Sequence, residues 1–289
     1  MSGLFRIPRA SSDKRGVFVI SYRRANRVKT WSMLRRFHYT GDKFVVAARD
    51  DPELEEYRRL FRDDLIEYNR ELVDCDYCDN LPRDNTYPSP LAVRNVLWDV
   101  AAELGWTHFL VLDDDYSHIF GSLAWRVASH ERSLVASLQK FPNYLDRLFA
   151  IFWDFLDDCP NVMCVCMAQT GEVANNEFRK VMQTFFLRTD RRFDFVGRGN
   201  DDVSTYYVHG LRGKLFLQNY TCVVKQMMTQ TNPGGLTDYY RIFGTYAKSF
   251  YTFMQWPGNC RVSFVSFVNR LHHSIFQHSY PEILRSAYA

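Results

Sequence analysis

An apolar run, Thr107 to Leu112, ends without a spacer in Asp113-Asp114-Asp115, and no other feature limits the possible folds as tightly. The run reads as a buried strand, because it is short, apolar and bounded by turn residues. Three adjacent carboxylates repel one another unless a cation lies among them. Alternation at a strand end sends Asp113 and Asp115 to one side and Asp114 to the other, which suits two carboxylates sharing a metal or a hydroxyl-rich ligand. Oxygen donors of this kind favour magnesium or manganese. A solvated turn is the competing reading, and placement directly after a buried strand favours a site.

Upstream of that run the pattern alternates. Val17 to Ser21 and Lys43 to Ala48 read as buried parallel strands. Between them Val28, Trp31, Leu34 and Phe37 fall at helical spacing, and Pro52 to Asn69 repeats the helical pattern. Ser89-Pro90 opens a helix running to about Leu104, closed by Gly105. Phe141 to Leu156 reads as a further helix and Asn161 to Ala168 as a strand, while Met182 to Tyr220 alternates short apolar runs with Gly and Asp. The expected fold is α/β, with a mainly parallel central sheet, helices on both faces and a more irregular C-terminal half. Ligands of such sheets bind beyond the carboxyl ends of the strands, where the acidic triplet lies. No repeat or low-complexity linker divides the 289 residues, so a single domain is expected.

With 46% apolar residues the chain has ample material for a core, and its net charge of +3 excludes a histone-like polybasic protein. No run approaches the roughly 20 apolar residues that cross a bilayer. The first fifteen residues mix Arg, Ser, Pro and Lys without an apolar stretch, so a cytoplasmic location is expected. Seven scattered cysteines suit free thiols, and Cys75-Asp-Tyr-Cys78 lacks the second pair that a zinc site would need.

Arg94-Asn95, a helix ending in Gly105 and a strand entering Asp113-Asp114-Asp115 together resemble the metal-binding region of GT-A glycosyltransferases. Phe193 to Asp202, followed by Val203-Ser-Thr-Tyr-Tyr207, resembles the later acidic acceptor motif of that fold. With Tyr22-Arg23-Arg24, Ala48-Arg49-Asp50-Asp51, Gly199-Asn200-Asp201-Asp202 and Asn232-Pro-Gly-Gly235, the set is similar to the TET-associated glycosyltransferases of tailed phages, over about residues 16 to 280. The resemblance implies a GT-A-like, Rossmann-type α/β/α domain, with a nucleotide-sugar half at 16–120 and an acceptor half at 121–289.

The resemblance further implies Mn2+ or Mg2+ on Asp113 and Asp115, with His272 or His273 as a further ligand. The donor would be a UDP-sugar, UDP-glucose foremost, held by Tyr22, Arg23, Arg24, Asp50 or Asp51, Arg94, Asn95, Asp113 and Asp114. Asp201 would serve as base in an inverting transfer while Asp202 caps the helix beginning at Val203, or the two roles would be exchanged. In a retaining transfer the carboxylate would only orient the acceptor. Arg198, Asn200, Gly234 and Gly235 would face the acceptor, a 5-hydroxymethylcytosine or 5-hydroxymethyluracil in phage DNA. Arg179-Lys180, Arg188, Arg191-Arg192 and Arg198, interleaved with Phe185, Phe186, Tyr206 and Tyr207, are consistent with phosphate contacts and base stacking. A polysaccharide, protein or small-molecule acceptor is one alternative, and a non-catalytic nucleic-acid-binding module is another. Neither a membrane nor an obligatory protein partner is expected, and a phage-encoded chain would work in the cytoplasm of the infected host.

Overall fold

The continuous apolar runs become the middle of a sheet. The computed structural model describes residues 3–82, 89–127, 130–137, 143–169, 182–226, 234–266 and 270–275. It begins with β1 (Phe5–Arg6), β2 (Arg15–Ile20), α1 (Lys29–Arg36), β3 (Asp42–Ala48), α2 (Leu54–Phe61) and β4 (Leu65–Tyr68). A 3-10 turn at Arg70–Leu72 precedes α3 (Leu91–Glu103), β5 (His108–Asp113), β6 (Tyr116–Val127), β7 (His130–Ser137), α4 (Tyr144–Asp158) and β8 (Val162–Gln169). β9 (Thr184–Arg188), α5 (Asp201–Leu211), β10 (Leu215–Gln226) and α6 (Leu236–Gln255) follow, and then the antiparallel pair β11 (Cys260–Val265) and β12 (Arg270–Ile275).

Ten strands form one sheet in the order β1-β4-β3-β2-β5-β9-β8-β10-β6-β7. β4, β3, β2 and β5 are parallel neighbours. β9 runs against both β5 and β8, and β8 resumes the common direction beside β10. β2 is buried almost throughout, as expected of a central parallel strand covered on both faces. Its alternate side chains divide between two cores. Phe18 and Ile20 join Phe44, Val46, Phe109 and Val111 under α3 and α5. Val17 and Val19 join Val45, Leu110 and Leu112 under α1, α2 and α4. The expected layered α/β arrangement is therefore present, with the parallel strands concentrated in the N-terminal half.

The expected helix from Pro52 to Asn69 is corrected. Only Leu54–Phe61 is α-helical; Arg62, with a positive φ of 46°, opens a 3-10 turn to Asp64, and Leu65–Tyr68 pairs in parallel with Val45–Ala48. Four buried residues bordering an amphipathic helix mimic its continuation, and the open edge of β3 gives them a better use. Elsewhere α3 and α4 begin a few residues inside the expected spans, and Phe141 lies outside the described residues. Among the described residues no helix is long and apolar enough to cross a membrane.

At the start of β2, Gly16 lies against the face of Trp106, whose ring also packs 4.7 Å from Phe18 and 5.9 Å from Phe44. A Cβ at this position would collide with the indole. Gly16→Ala is therefore expected to cost about 2 kcal/mol through overpacking, read as a lower midpoint in thermal unfolding; an unchanged midpoint contradicts this packing.

Candidate functional site

Beyond the carboxyl ends of β2 and β5 lies a cleft onto which Asp113, Asp114, Asp115, Asp201 and Asp202 all open. The triplet is fixed by Thr30, which is fully buried near the start of α1. Its hydroxyl donates to the Asp113 carbonyl at 2.5 Å and accepts from the Tyr116 N–H at 2.9 Å, while its own N–H meets the Asp114 carbonyl at 3.1 Å. Asp113 is the last residue of β5, and Asp114 and Asp115 form the turn into β6.

The three carboxylates have different surroundings. Asp114 accepts from Arg24 Nη1 and from Ser21 Oγ, both at 2.7 Å. Asp113 accepts from Arg94 Nη2 at 3.2 Å. Among the described residues Asp115 Oδ2 receives a long contact, 3.4 Å, from Gln226 Nε2, and its buried Oδ1 has no hydrogen-bond partner. Burial, reinforced by the charges of Asp113 and Asp114, pushes the Asp115 carboxyl up to about 7. An acceptor-only group left in this state suits a cation. Among the described residues no three His, Cys, Asp or Glu side chains form a closed ligand set. An oxygen-ligated magnesium or manganese needs none, because it commonly keeps waters and takes phosphate oxygens beside one or two carboxylates.

Across the cleft, Asn200 adopts a left-handed φ of 55° and starts α5, so that Asp201 and Asp202 occupy its first turn, where the helix dipole favours negative charge. Asp201 is buried and accepts from Arg94 Nη1. Burial lifts its carboxyl to about 7 against the pull of Arg94, and Asp202 adds to the lift. Asp202 is half-buried and accepts from the Val203 N–H at 2.8 Å; the helix begins at Asp201 with Asn200 in the cap position, so the expectation that Asp202 caps a helix beginning at Val203 is corrected.

Tyr22 and Arg24 line the cleft, whereas Arg23 does not. Asp51 lies behind them, with its two oxygens on the N–H groups of Arg23 and Glu53 at 2.9 and 2.8 Å, so it locks a loop rather than facing a ligand. Asp50 reaches Arg70 Nη2 at 3.5 Å. Asn95 also lies behind the cleft: its amide pairs with the N–H and carbonyl of Phe195 at 2.8 and 2.9 Å, as a neighbouring strand would. Gly235 donates to the Tyr22 carbonyl at 3.1 Å, and the Gly234 carbonyl accepts from Arg24 Nη2 at 2.8 Å. A Cβ on Gly234 would lie 2.5 Å from the Arg23 carbonyl oxygen, at a φ of 86°. The glycine pair thus closes against the Tyr22–Arg24 loop, with Gly235 lining the cleft; Asn232 and Pro233 lie outside the described residues.

Two further expectations are corrected. His272 and His273 do not reach the triplet: His273 Nδ1 is 3.3 Å from Asn200 Nδ2, and neither ring lines the cleft. The basic, aromatic stretch does not form one face either. Arg198 is 1% exposed and pairs with Asp79 at 2.8 Å. Arg188 stands opposite His108, at the far end of β5 from Asp113. Arg191 donates to the carbonyls of Cys159 and Val162, and Arg192 pairs with Asp99. Phe185, Phe186, Tyr206 and Tyr207 are core residues, and Arg179-Lys180 lies outside the described residues.

Several residues of the cleft, Arg70, Gln226 and Lys248 among them, escaped the sequence reading. Arg70, 5% exposed, lies with its guanidinium 4.9 Å from the Tyr22 ring, and its Nε and Nη1 are buried without hydrogen-bond partners. A lone arginine after a four-residue strand carries no local motif. Buried donors beside an aromatic ring suit a planar ligand with acceptor atoms.

Residues 16–235 match the family model described as TET-Associated Glycosyltransferase. Among solved structures, the Staphylococcus aureus TarS fragment 1–349 is similar at 14% identity and a TM-score of 0.41, over 80% of this chain and 63% of that one. Glucosyl-3-phosphoglycerate synthase from Mycobacterium tuberculosis, in complex with Mn2+, uridine diphosphate and phosphoglyceric acid, is similar at 11% identity and a TM-score of 0.45, over 92% of this chain and 88% of that one. No curated protein matches.

The upward shift at Asp115 makes this carboxylate a liability to the metal-free fold. A carboxyl whose folded-state value is raised stabilises below its unfolded value near 4, and that contribution is lost as pH rises through about 7. With chelator present, Asp115→Asn is expected to be on the order of 1–3 kcal/mol more stable relative to wild type at pH 8 than at pH 4. Denaturant unfolding at the two pH values measures this, and a difference independent of pH contradicts it.

Proposed function

Because the chain belongs to the TET-associated glycosyltransferase family, we propose that this glycosyltransferase moves a hexose from a UDP-sugar, UDP-glucose foremost, to the hydroxyl of a hydroxymethylated pyrimidine in phage DNA. The observation that supports the reading most is the meeting of two acidic motifs in one cleft, with Asp115 Oδ1 buried and without a hydrogen bond.

Asp115, with Asp113 beside it, would hold Mn2+ or Mg2+. The bound metal would neutralise the charge developing on the departing diphosphate. Tyr22 would stack on the nucleobase, and Arg70 would donate to its ring carbonyls from the edge. Arg24, fixed between Asp114 and the Gly234 carbonyl, lies at the mouth of the same pocket. Asp201 would take the proton of the attacking hydroxyl; burial raises its carboxyl above the usual carboxylate range, toward that of a base working at neutral pH. Asp202 would keep the start of α5 in place.

A base in duplex DNA reaches such a cleft only by leaving the stack. The DNA acceptor is proposed on the family's association with pyrimidine-modifying enzymes, since Arg188, Arg191, Arg192 and Arg198, expected to form a basic face, pair within the fold. A polysaccharide, protein or small-molecule acceptor is what the same cleft would serve if DNA fails.

Incubation with Mn2+, a panel of nucleotide sugars and DNA containing cytosine, thymine or their hydroxymethyl forms, followed by nucleoside mass spectrometry, tests the proposal. A hexose-sized gain only on a hydroxymethyl base is expected. Hydrolysis of the nucleotide sugar without any gain on DNA overturns the acceptor and retains the donor. Asp201→Asn is expected to lower the rate of transfer by about a hundredfold or more, and a rate near that of wild type removes Asp201 as the base.

A further inference from the structure

The two acidic ends of the cleft share one cation. Arg94, 3% exposed on α3, donates from Nη2 to Asp113 Oδ1 at 3.2 Å and from Nη1 to Asp201 Oδ2. These partners stand 19 and 107 residues away in sequence. The guanidinium lies 4.9 Å from the Phe185 ring centroid and 5.8 Å from that of Phe195, so aromatic walls keep it from turning to solvent. Among the described residues its buried Nε has no hydrogen-bond partner, and its two terminal nitrogens donate to those two carboxylates.

A guanidinium shared by two carboxylates divides its attraction between them, and weakening one contact strengthens the other in a low-dielectric interior. We propose that Arg94 is a positioning residue that couples donor loading to the acceptor carboxylate. Asp113 would hold the metal that carries the diphosphate, and the guanidinium would then be released from Asp113 and committed to Asp201. This inference rests on the donor reading given above. It deepens that reading by making Asp201, which would touch neither metal nor nucleotide, a determinant of metal–nucleotide affinity. Linkage makes the effect reciprocal, so a loaded donor sets Asp201 in place before the acceptor arrives.

The test is a double-mutant cycle, with Mn2+–UDP titrated calorimetrically into wild type, Asp201→Asn, Arg94→Met and the double variant. Loss of the Asp201 charge leaves Arg94 wholly on Asp113, where it competes with the metal. Asp201→Asn is therefore expected to weaken Mn2+–UDP binding about tenfold. In the Arg94→Met background the same substitution is expected to change affinity less than about twofold. An unchanged affinity in Asp201→Asn overturns the proposal, as does an equal loss in both backgrounds, which would mark a through-space field instead of the guanidinium. Should Arg94→Met not fold, Arg94→Lys takes its place, because a single ammonium cannot span both carboxylates as a planar fork does. Wild type that does not bind Mn2+–UDP removes the donor reading and this proposal together, whereas binding without coupling removes this proposal alone.

Discussion

Crowded negative charge at the end of β5 governs the arrangement around it. Asp113, Asp114, Asp115 and Asp201 are all pushed upward by burial, and among the described residues two guanidinium groups, those of Arg24 and Arg94, pair with Asp113, Asp114 and Asp201. Such a group of carboxylates is costly to bury, and among the described residues these ion pairs compensate it only in part. The rest of the molecule holds them together nonetheless: the triplet is pinned by Thr30, Asp114 by Ser21, and Asp201 by Arg94. Unrelieved charge held by rigid elements is the signature of a site completed by a ligand.

The loops around the cleft are joined by contacts between distant parts of the chain. Arg198 pairs with Asp79, which also accepts from the Tyr251 hydroxyl at 2.5 Å, so the segment before α5, the segment after β4 and α6 are tied at one carboxylate. Asn200 donates to the Lys248 carbonyl at 2.7 Å and so links the start of α5 to α6. Gly199 lets the Tyr251 ring approach closely, since a Cβ there would lie 2.9 Å from it. The positions of Asp201 and Asp202 thus depend on contacts made outside the cleft by Arg198, Asp79 and Tyr251 as well as on Asn200 and Lys248, which line it.

Legibility in the sequence followed the range of the interactions. The strands β2, β3 and β5 were readable because burial on both faces demands uninterrupted apolar runs, and the triplet was readable because it ends one of them. β4 was not, since Leu65–Tyr68 is too short to outweigh the helical spacing before it. Asn95 was misread: a polar residue beside Arg94 looks like a ligand contact, yet its amide completes the backbone of Phe195. The basic stretch was misread for the same reason, because sequence proximity could not reveal that Arg188 and Arg198 belong to opposite ends of the sheet. Arg70 left no signal, because its importance arises from Tyr22, which lies far from it in the chain.

The central claim is that the buried oxygen of Asp115 is a seat for the metal of a nucleotide donor. Anomalous diffraction from crystals soaked in Mn2+ and UDP tests it most directly. The account requires a manganese peak within about 2.0–2.6 Å of Asp115 Oδ1, with the uracil ring against Tyr22 and Arg70. A manganese peak elsewhere, or UDP bound with no metal at Asp115, would contradict it.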